Sequence, residues 1–304
     1  MTPASISNSF FLSVLIIVIF IFNLAAASSP FSCQGGSVYV VAHPDDDLLF
    51  QSPDLLHEIR VHACVTTIFL TSGDAGIPGS YSEARESGNE AAYASMASRP
   101  NGTWQTTLTQ MGGQILRVRT LDGRPELQKV WLRLPDGNSL GEGFSGTGNT
   151  SLQKLYQGDI TKMEATDGSA RYTLNALKDV ISGILKIRKP NNIRVQDFKR
   201  EYTSLGNEHD HPDHLTAARI VRDAVADGAA PKAKLIGYAG YPISHHPSTL
   251  PSNSTDFEAK KEAFFAYAAF DSRVCQNYDD CEQRDVSGHG QGYSYWLQRE
   301  YYIV

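Results

Sequence analysis

Val40-Val41-Ala42-His43-Pro44-Asp45-Asp46-Asp47-Leu48-Leu49 is the stretch that decides the fold of this chain. The apolar run ending at Ala42 has the pattern of a strand buried on both faces of a parallel sheet. Leu48 and Leu49 begin a helical segment, so His43, Asp45 and Asp46 are delivered together where a strand gives way to a helix. Borderline and hard ligand atoms released at one point have the composition of half a metal site.

Working outward, apolar residues at Leu48, Leu49, Leu55, Leu56 and Ile59 predict a helix over 46–61, or two helical pieces divided at Ser52-Pro53. Ala63 to Leu70 reads as the next strand and runs into Thr71-Ser72-Gly73-Asp74, where Asp74 either holds a loop over the site or caps a turn. This order is a β-α-β unit and implies a parallel pair. A helix is expected over 82–98 and short strands over 114–119 and 129–134. Residues 136–170, rich in glycine and serine at their start, read as an excursion from the core, a lid or surface insertion. The stripe Leu177, Val180, Ile181, Ile184, Leu185 predicts a helix ended by Lys189-Pro190. A brief strand at 193–195 leads through a polar loop to His211-Pro212, where proline suits the first position of a helix. A strand at 234–238, a helix at 256–270 and an aromatic, strand-like end from Tyr293 complete the alternation. The favoured architecture is a doubly wound α/β fold in three αβα layers with a mainly parallel sheet.

The 304 residues are 41% hydrophobic and 20% charged, with a net charge of -6 and a pI near 5.8. One domain over 31–304 is expected, and the absence of a cationic field argues against a nucleic-acid partner. Phe10 to Leu24 is almost wholly apolar and is followed by Ala25-Ala26-Ala27-Ser28-Ser29. That run is shorter than the roughly 20 residues of a membrane span and ends in small residues, as a cleaved secretory signal over 1–27 does. The alternative is an uncleaved N-terminal anchor. Sequons at Asn101, Asn149 and Asn253 and an even set of cysteines favour a secreted or lumenal protein. Cys275 and Cys281 enclose a short acidic loop and are expected to pair; Cys33 and Cys64 then either pair by elimination or stay as two buried free thiols, as in a reducing compartment.

The missing half of the metal site is sought in Glu208-His209-Asp210-His211-Pro212-Asp213-His214. It follows a second strand end, and ligands in open α/β sheets bind outside the carboxyl ends of strands. His211 and His214, three apart at a helix start, share one side of the first turn. The helix dipole disfavours imidazolium there, which frees a nitrogen lone pair for a metal. His209 and Asp210 read as supporting or surface residues, and Asp213 as a partner of the helix dipole. His245-His246 either lines a pocket or lies on an exposed loop.

Ala42-His43-Pro44-Asp45-Asp46-Asp47, Thr71-Ser72-Gly73-Asp74 and His211-Pro212-Asp213-His214, in that order, resemble the PIG-L/LmbE family of zinc-dependent de-N-acetylases. The resemblance runs from about Ser37 to Gly237. It implies a Rossmann-like fold and removal of an N-acetyl group from an amino sugar or glycoconjugate. By position it implies zinc on His43, Asp46 and His214, with Asp45 as general base toward water. His211 would stabilise the oxyanion and protonate the leaving amine, and Arg85 would hold sugar hydroxyls. The chain departs from the family at Asp47, where glutamate is usual, and at Glu208-His209-Asp210, where some relatives carry another donor. Two other functions fit the same residues: an amidase on a different N-acyl substrate, and a carbohydrate-binding protein with an idle metal site.

Overall fold

The computed structural model describes residues 30–203 and 206–303, so the expected signal segment over 1–27 lies outside the described residues. The chain begins with β1 (Ser37–Val41), α1 (Asp46–Phe50), α2 (Asp54–Arg60) and β2 (Val65–Thr71). After α3 (Ser80–Met96) comes a meander of β3 (Trp104–Met111), β4 (Gln114–Leu121) and β5 (Arg124–Leu134). A short α4 (Leu152–Gln157) and the small pair β6 (Met163–Glu164) and β7 (Arg171–Tyr172) precede α5 (Leu174–Arg188). The alternation resumes with β8 (Asn192–Val195), α6 (Pro212–Ala226) and β9 (Lys234–Gly237). Helices α7 (Thr255–Ala268), α8 (Tyr278–Val286) and α9 (Tyr293–Leu297) close it.

Seven strands form one sheet in the order β3-β4-β5-β2-β1-β8-β9. All pairings from β5 to β9 are parallel, and β4 and β3 extend that sheet as an antiparallel hairpin. The fold is therefore α/β in three layers with a mainly parallel sheet. β1 lies at its centre, with Val38 opposite Thr66 of β2 on one side and Ile193 of β8 on the other. Alternate residues of β1 face opposite layers. Val38, Val40 and Ala42 pack with Ile181 and Ile184 of α5 and Ile220 of α6, while Tyr39 joins Leu48, Leu55 and Phe264 from α1, α2 and α7. Burial on both faces explains why this strand reads as a continuous apolar run rather than an alternating one.

Local chemistry sets the helix ends that matter. The expected break at Ser52-Pro53 divides α1 from α2. Thr173 caps α5, its hydroxyl accepting from Ala176 N–H, and Lys189 ends the helix in the left-handed region just before Pro190. Pro212 occupies the first turn of α6, as the sequence predicts. Residues 136–170 place Leu152, Leu155 and Met163 in the core and bury Asp136 beside the site. Both disulfides form as paired above, with Cα–Cα distances of 5.8 Å for Cys33–Cys64 and 5.0 Å for Cys275–Cys281. The three sequon asparagines are exposed, and no helix among the described residues is long and apolar enough to cross a membrane.

One local expectation is corrected, and two elements had no counterpart in the sequence reading. The aromatic end is helical over Tyr293–Leu297, with only a single bridge between Tyr238 and Tyr302. Aromatic content suggested a strand, but Tyr293 and Trp296 are one helical turn apart and pack on Phe264 and Tyr241. Strand β3 went unread because its residues face water and carry no apolar alternation. Helix α8 buries only Cys281, so it lacks the stripe that marks a helix against a core.

Ile184, fully buried under the sheet, tests the packing: Ile184→Ala is expected to cost about 2–5 kcal/mol, read from the denaturant midpoint with an unchanged slope.

Candidate active site

The site lies at the carboxyl ends of β1 and β8, where the chain connections leave in opposite directions. The turn after β1 presents His43, Asp45 and Asp46; the start of α6 presents His211 and His214. His43 Nδ1 and His214 Nε2 stand 3.2 Å apart. Asp46 Oδ1 lies 2.9 Å from His214 Nε2, and Asp46 Oδ2 lies 3.4 Å from His43 Nδ1. Ligand atoms around a tetrahedral zinc at bond lengths of about 2.0–2.1 Å are roughly 3.3 Å apart. The two histidines and one aspartate named from the sequence thus converge with the spacing of a ligand set, and all three are buried.

Outer contacts fix the orientation of these ligands. His214 Nδ1 donates to Asp210 Oδ1 at 2.8 Å, which turns the Nε2 lone pair toward the cluster. Asp210 Oδ1 also accepts from the backbone N–H groups of His211 and Tyr241. A Cβ on Gly240 would come within 2.4 Å of the Asp210 carboxylate, so only glycine lets that backbone pass. The other His43 nitrogen, Nε2, faces Asp213 Oδ2 at 3.5 Å, and the same Asp213 oxygen accepts from Gly137 N–H. Asp213 therefore does more than complement the helix dipole.

The electrostatics of the cluster call for a cation. Asp45, Asp46, Asp136, Asp210 and Asp213 are all buried here, and Arg85 is the fixed cation among them. Burial opposes ionisation of Asp46, but the two imidazoles hold its carboxyl well below the usual range. Burial likewise opposes charge on His214, and Asp46 and Asp210 overcome it, raising that imidazole to about 9. His43 is lifted in the same way, chiefly by Asp46. Histidines drawn toward the charged form by surrounding carboxylates mark a place where a divalent ion fits.

Asp45 and His211 face the same cavity, of about 420 Å³. Asp45 Oδ1 accepts from Arg85 Nη2 at 2.7 Å, while its Oδ2 has no protein partner among the described residues. Burial raises the Asp45 carboxyl above its ordinary value against the pull of Arg85. His211 caps α6 in an unusual way, its Nδ1 accepting from Asp213 N–H at 3.1 Å. That bond leaves the hydrogen on Nε2, 3.9 Å from Asp136 Oδ1. Burial, helped by His43, holds the imidazole neutral down to about 4. His211 is thus a buried neutral N–H donor on the cavity wall.

Arg85 reaches the cavity, yet each of its three nitrogens is engaged by protein: Nε by Tyr267 and Asp271, Nη1 by Gly73 O and Nη2 by Asp45. Asp47 turns away from the cavity. Its oxygens accept from Tyr93 OH and Asn89 Nδ2, and Asn89 also donates to Pro44 O while accepting from the buried Lys129. Asp47 therefore anchors the ligand-bearing turn to α3. Asp74 does both jobs offered for it, bonding Ser72 and Gly76 within its turn and accepting from the backbone N–H of Asp136, whose side chain lines the cavity. His209 is half-buried, His245 and His246 are exposed, and these three do not line the cavity. Sequence reasoning missed Asp136, Tyr241 and Asp271, because a lone acid or aromatic in a loop carries no spacing signal.

Residues 38–225, more than half of the chain, match the family model described as PIG-L, GlcNAc-PI de-N-acetylase. The chain belongs to the PIG-L family. Comparison with curated protein sequences gives no match. Among solved structures, a conserved protein of Thermus thermophilus is 18% identical, with a TM-score of 0.43 over 84% of this chain and 89% of that one. The N,N'-diacetylchitobiose deacetylase of Pyrococcus horikoshii is 14% identical, with a TM-score of 0.42 over 86% and 78%. A 4-carboxy-2-hydroxymuconate hydratase of Pseudomonas putida is 11% identical, with a TM-score of 0.41 over 84% and 90%. The first two PIG-L motifs and the His-Pro-Asp-His motif all fall inside the matched residues. Asp271 and the aromatic residues of α9 lie beyond them.

Asp210→Asn keeps the size of the side chain but weakens its hold on His214. The affinity of this cluster for a divalent metal ion is expected to fall about 10–100-fold, measured with added zinc by competition with a chromophoric chelator on protein whose far-UV circular dichroism is unchanged.

Proposed function

We propose that this PIG-L family member is a zinc-dependent hydrolase that removes the acetyl group from an N-acetylated amino sugar or glycoconjugate. The observation that carries the reading is the convergence of His43 Nδ1, Asp46 and His214 Nε2 within 3.4 Å, with the free oxygen of Asp45 on the same cavity. Two imidazoles and a carboxylate, with no fourth protein ligand in that group among the described residues, suit a catalytic rather than a structural zinc. When bound, the ion would polarise the acyl oxygen and make water more acidic.

The side chains divide the remaining work. Asp45 Oδ2 accepts the proton of the attacking water, with Arg85 holding the carboxylate in place through Oδ1. Oxygen bonds to the acyl carbon, and His211 Nε2–H donates to the oxygen that gains negative charge there. The proton held by Asp45 passes to the amine nitrogen as the C–N bond breaks, which yields acetate and the free amino sugar. Arg85 also presents its cavity edge to sugar hydroxyls. Two disulfides suit an oxidising compartment, and with the exposed sequons and the apolar N-terminal run they support a secreted or lumenal protein.

Purified protein is expected to hold about one zinc per chain and to release acetate from N-acetylglucosamine compounds. Chelation should stop the reaction and added zinc restore it; full activity in folded, metal-free protein would overturn the reading. Asp45→Asn should lower kcat by about 10²–10⁴-fold with zinc still bound, whereas loss of zinc would reverse the roles of Asp45 and Asp46. His211→Ala should lower kcat by about 10²–10³-fold, seen in the same acetate assay.

A further inference from the structure

The cavity wall contributed by residues 271–274 lies outside the family-matched residues and carries a cation that the deacetylase reading does not use. Arg273 is exposed and lines the cavity, and its guanidinium has no hydrogen-bond or ion-pair partner among the described residues. It stands over the Tyr81 ring at 4.6 Å, an arrangement that holds the side chain without neutralising it. Its loop is firmly built. Arg273 N–H donates to Asp271 Oδ1, Gln276 Nε2 donates to the carbonyls of Asp271 and Val274, and Cys275 is tied to Cys281.

The charges around Arg273 are accounted for. Asp271, the acid two residues away, already accepts from Tyr81, Tyr267 and Arg85. Arg85 is engaged at all three nitrogens by Asp45, Gly73, Tyr267 and Asp271, and the carboxylates of Asp45 and Asp271 already balance its charge, so it is a weaker partner for a substrate anion than Arg273. The chain as a whole carries a net charge of -6, so no long-range field draws anions in and any preference for them must arise locally. A guanidinium fork on a rigid loop is suited to bidentate contact with a carboxylate, phosphate or sulfate.

We propose that Arg273 is a specificity-determining residue, which selects acylated amino sugars carrying an oxyanion on the side of the sugar that faces residues 271–274. This rests on the deacetylase reading for the position of the acyl group, but its test does not need turnover.

Binding of N-acetylglucosamine 1-phosphate, of an N-acetylglucosamine glycoside bearing a carboxylate, and of methyl N-acetylglucosaminide is measured by calorimetry on zinc-loaded Asp45→Asn protein. At least one anionic compound is expected to bind about tenfold or more tightly than the neutral one, and the two anionic arms tell phosphate from carboxylate. In the Arg273→Gln, Asp45→Asn protein that preference ratio should fall to about one, and Arg273→Lys should restore part of it by charge alone. Equal affinity for all three compounds in the Asp45→Asn protein, or a ratio unchanged by Arg273→Gln, would overturn the proposal. Inorganic phosphate binding as tightly as the phosphorylated sugar would overturn it too, since the anion would then be held without the sugar. Absence of acetate release by the native enzyme from every compound would instead overturn the deacetylase reading, and the binding ratios would still judge Arg273.

Discussion

Two imidazole nitrogens 171 residues apart in sequence meet at 3.2 Å, and the rest of the site depends on that approach. It is made possible by the parallel pairing of β1 with β8, which aligns Val40 with Val195 and so brings their carboxyl ends side by side. His43 follows the first strand directly, whereas His214 reaches the same point from the first turn of α6. Two lone pairs and a carboxylate directed at one buried point would be unfavourable without a positive charge between them. Asp210 orients the His214 ring by accepting from its Nδ1–H, and Asp213 stands 3.5 Å from the far nitrogen of His43.

Buried charge explains much of what surrounds the cluster. The Asp-Asp-Asp run after β1 distributes its three members in three directions. Asp46 faces the histidines, Asp45 faces Arg85 and the cavity, and Asp47 enters a buried network with Tyr93, Asn89 and Lys129. Asn89 is the pivot, since it bonds both Pro44 O and the Asp47 carboxylate and so ties the turn to α3 at two points. Tyr93 OH donates to the aspartate at position 47 at 2.5 Å. A site whose ligands must hold their places within tenths of an ångström is supported by rigid, hydrogen-bonded neighbours rather than by loops.

Much of the fold was legible because it rests on periodicity. The buried strand before His43, the stripe on α5 and the proline at the start of α6 each have a direct physical cause in residue type. The elements that escaped reading are those whose stability comes from elsewhere. β3 gains its place from hydrogen bonds to β4, α8 is tethered by Cys281, and α9 is a helix because Tyr293 and Trp296 fit against Phe264 and Tyr241. In each case tertiary contact outweighed a weak or misleading local preference.

The sequence by itself determined which residues stand together at the strand ends. His43, Asp45, Asp46, His211 and His214 are set by motifs at strand ends, and a β-α-β chain brings strand ends to one edge. Only the tertiary structure decided what each neighbour does with its charge. It engaged Arg85 on every nitrogen, left the guanidinium of Arg273 without an ion-pair partner among the described residues, drew Asp136 and Asp213 up to the imidazoles, and turned Asp47 inward. Those outcomes depend on distance and burial between residues far apart in the chain, and spacing along a sequence carries no information about either.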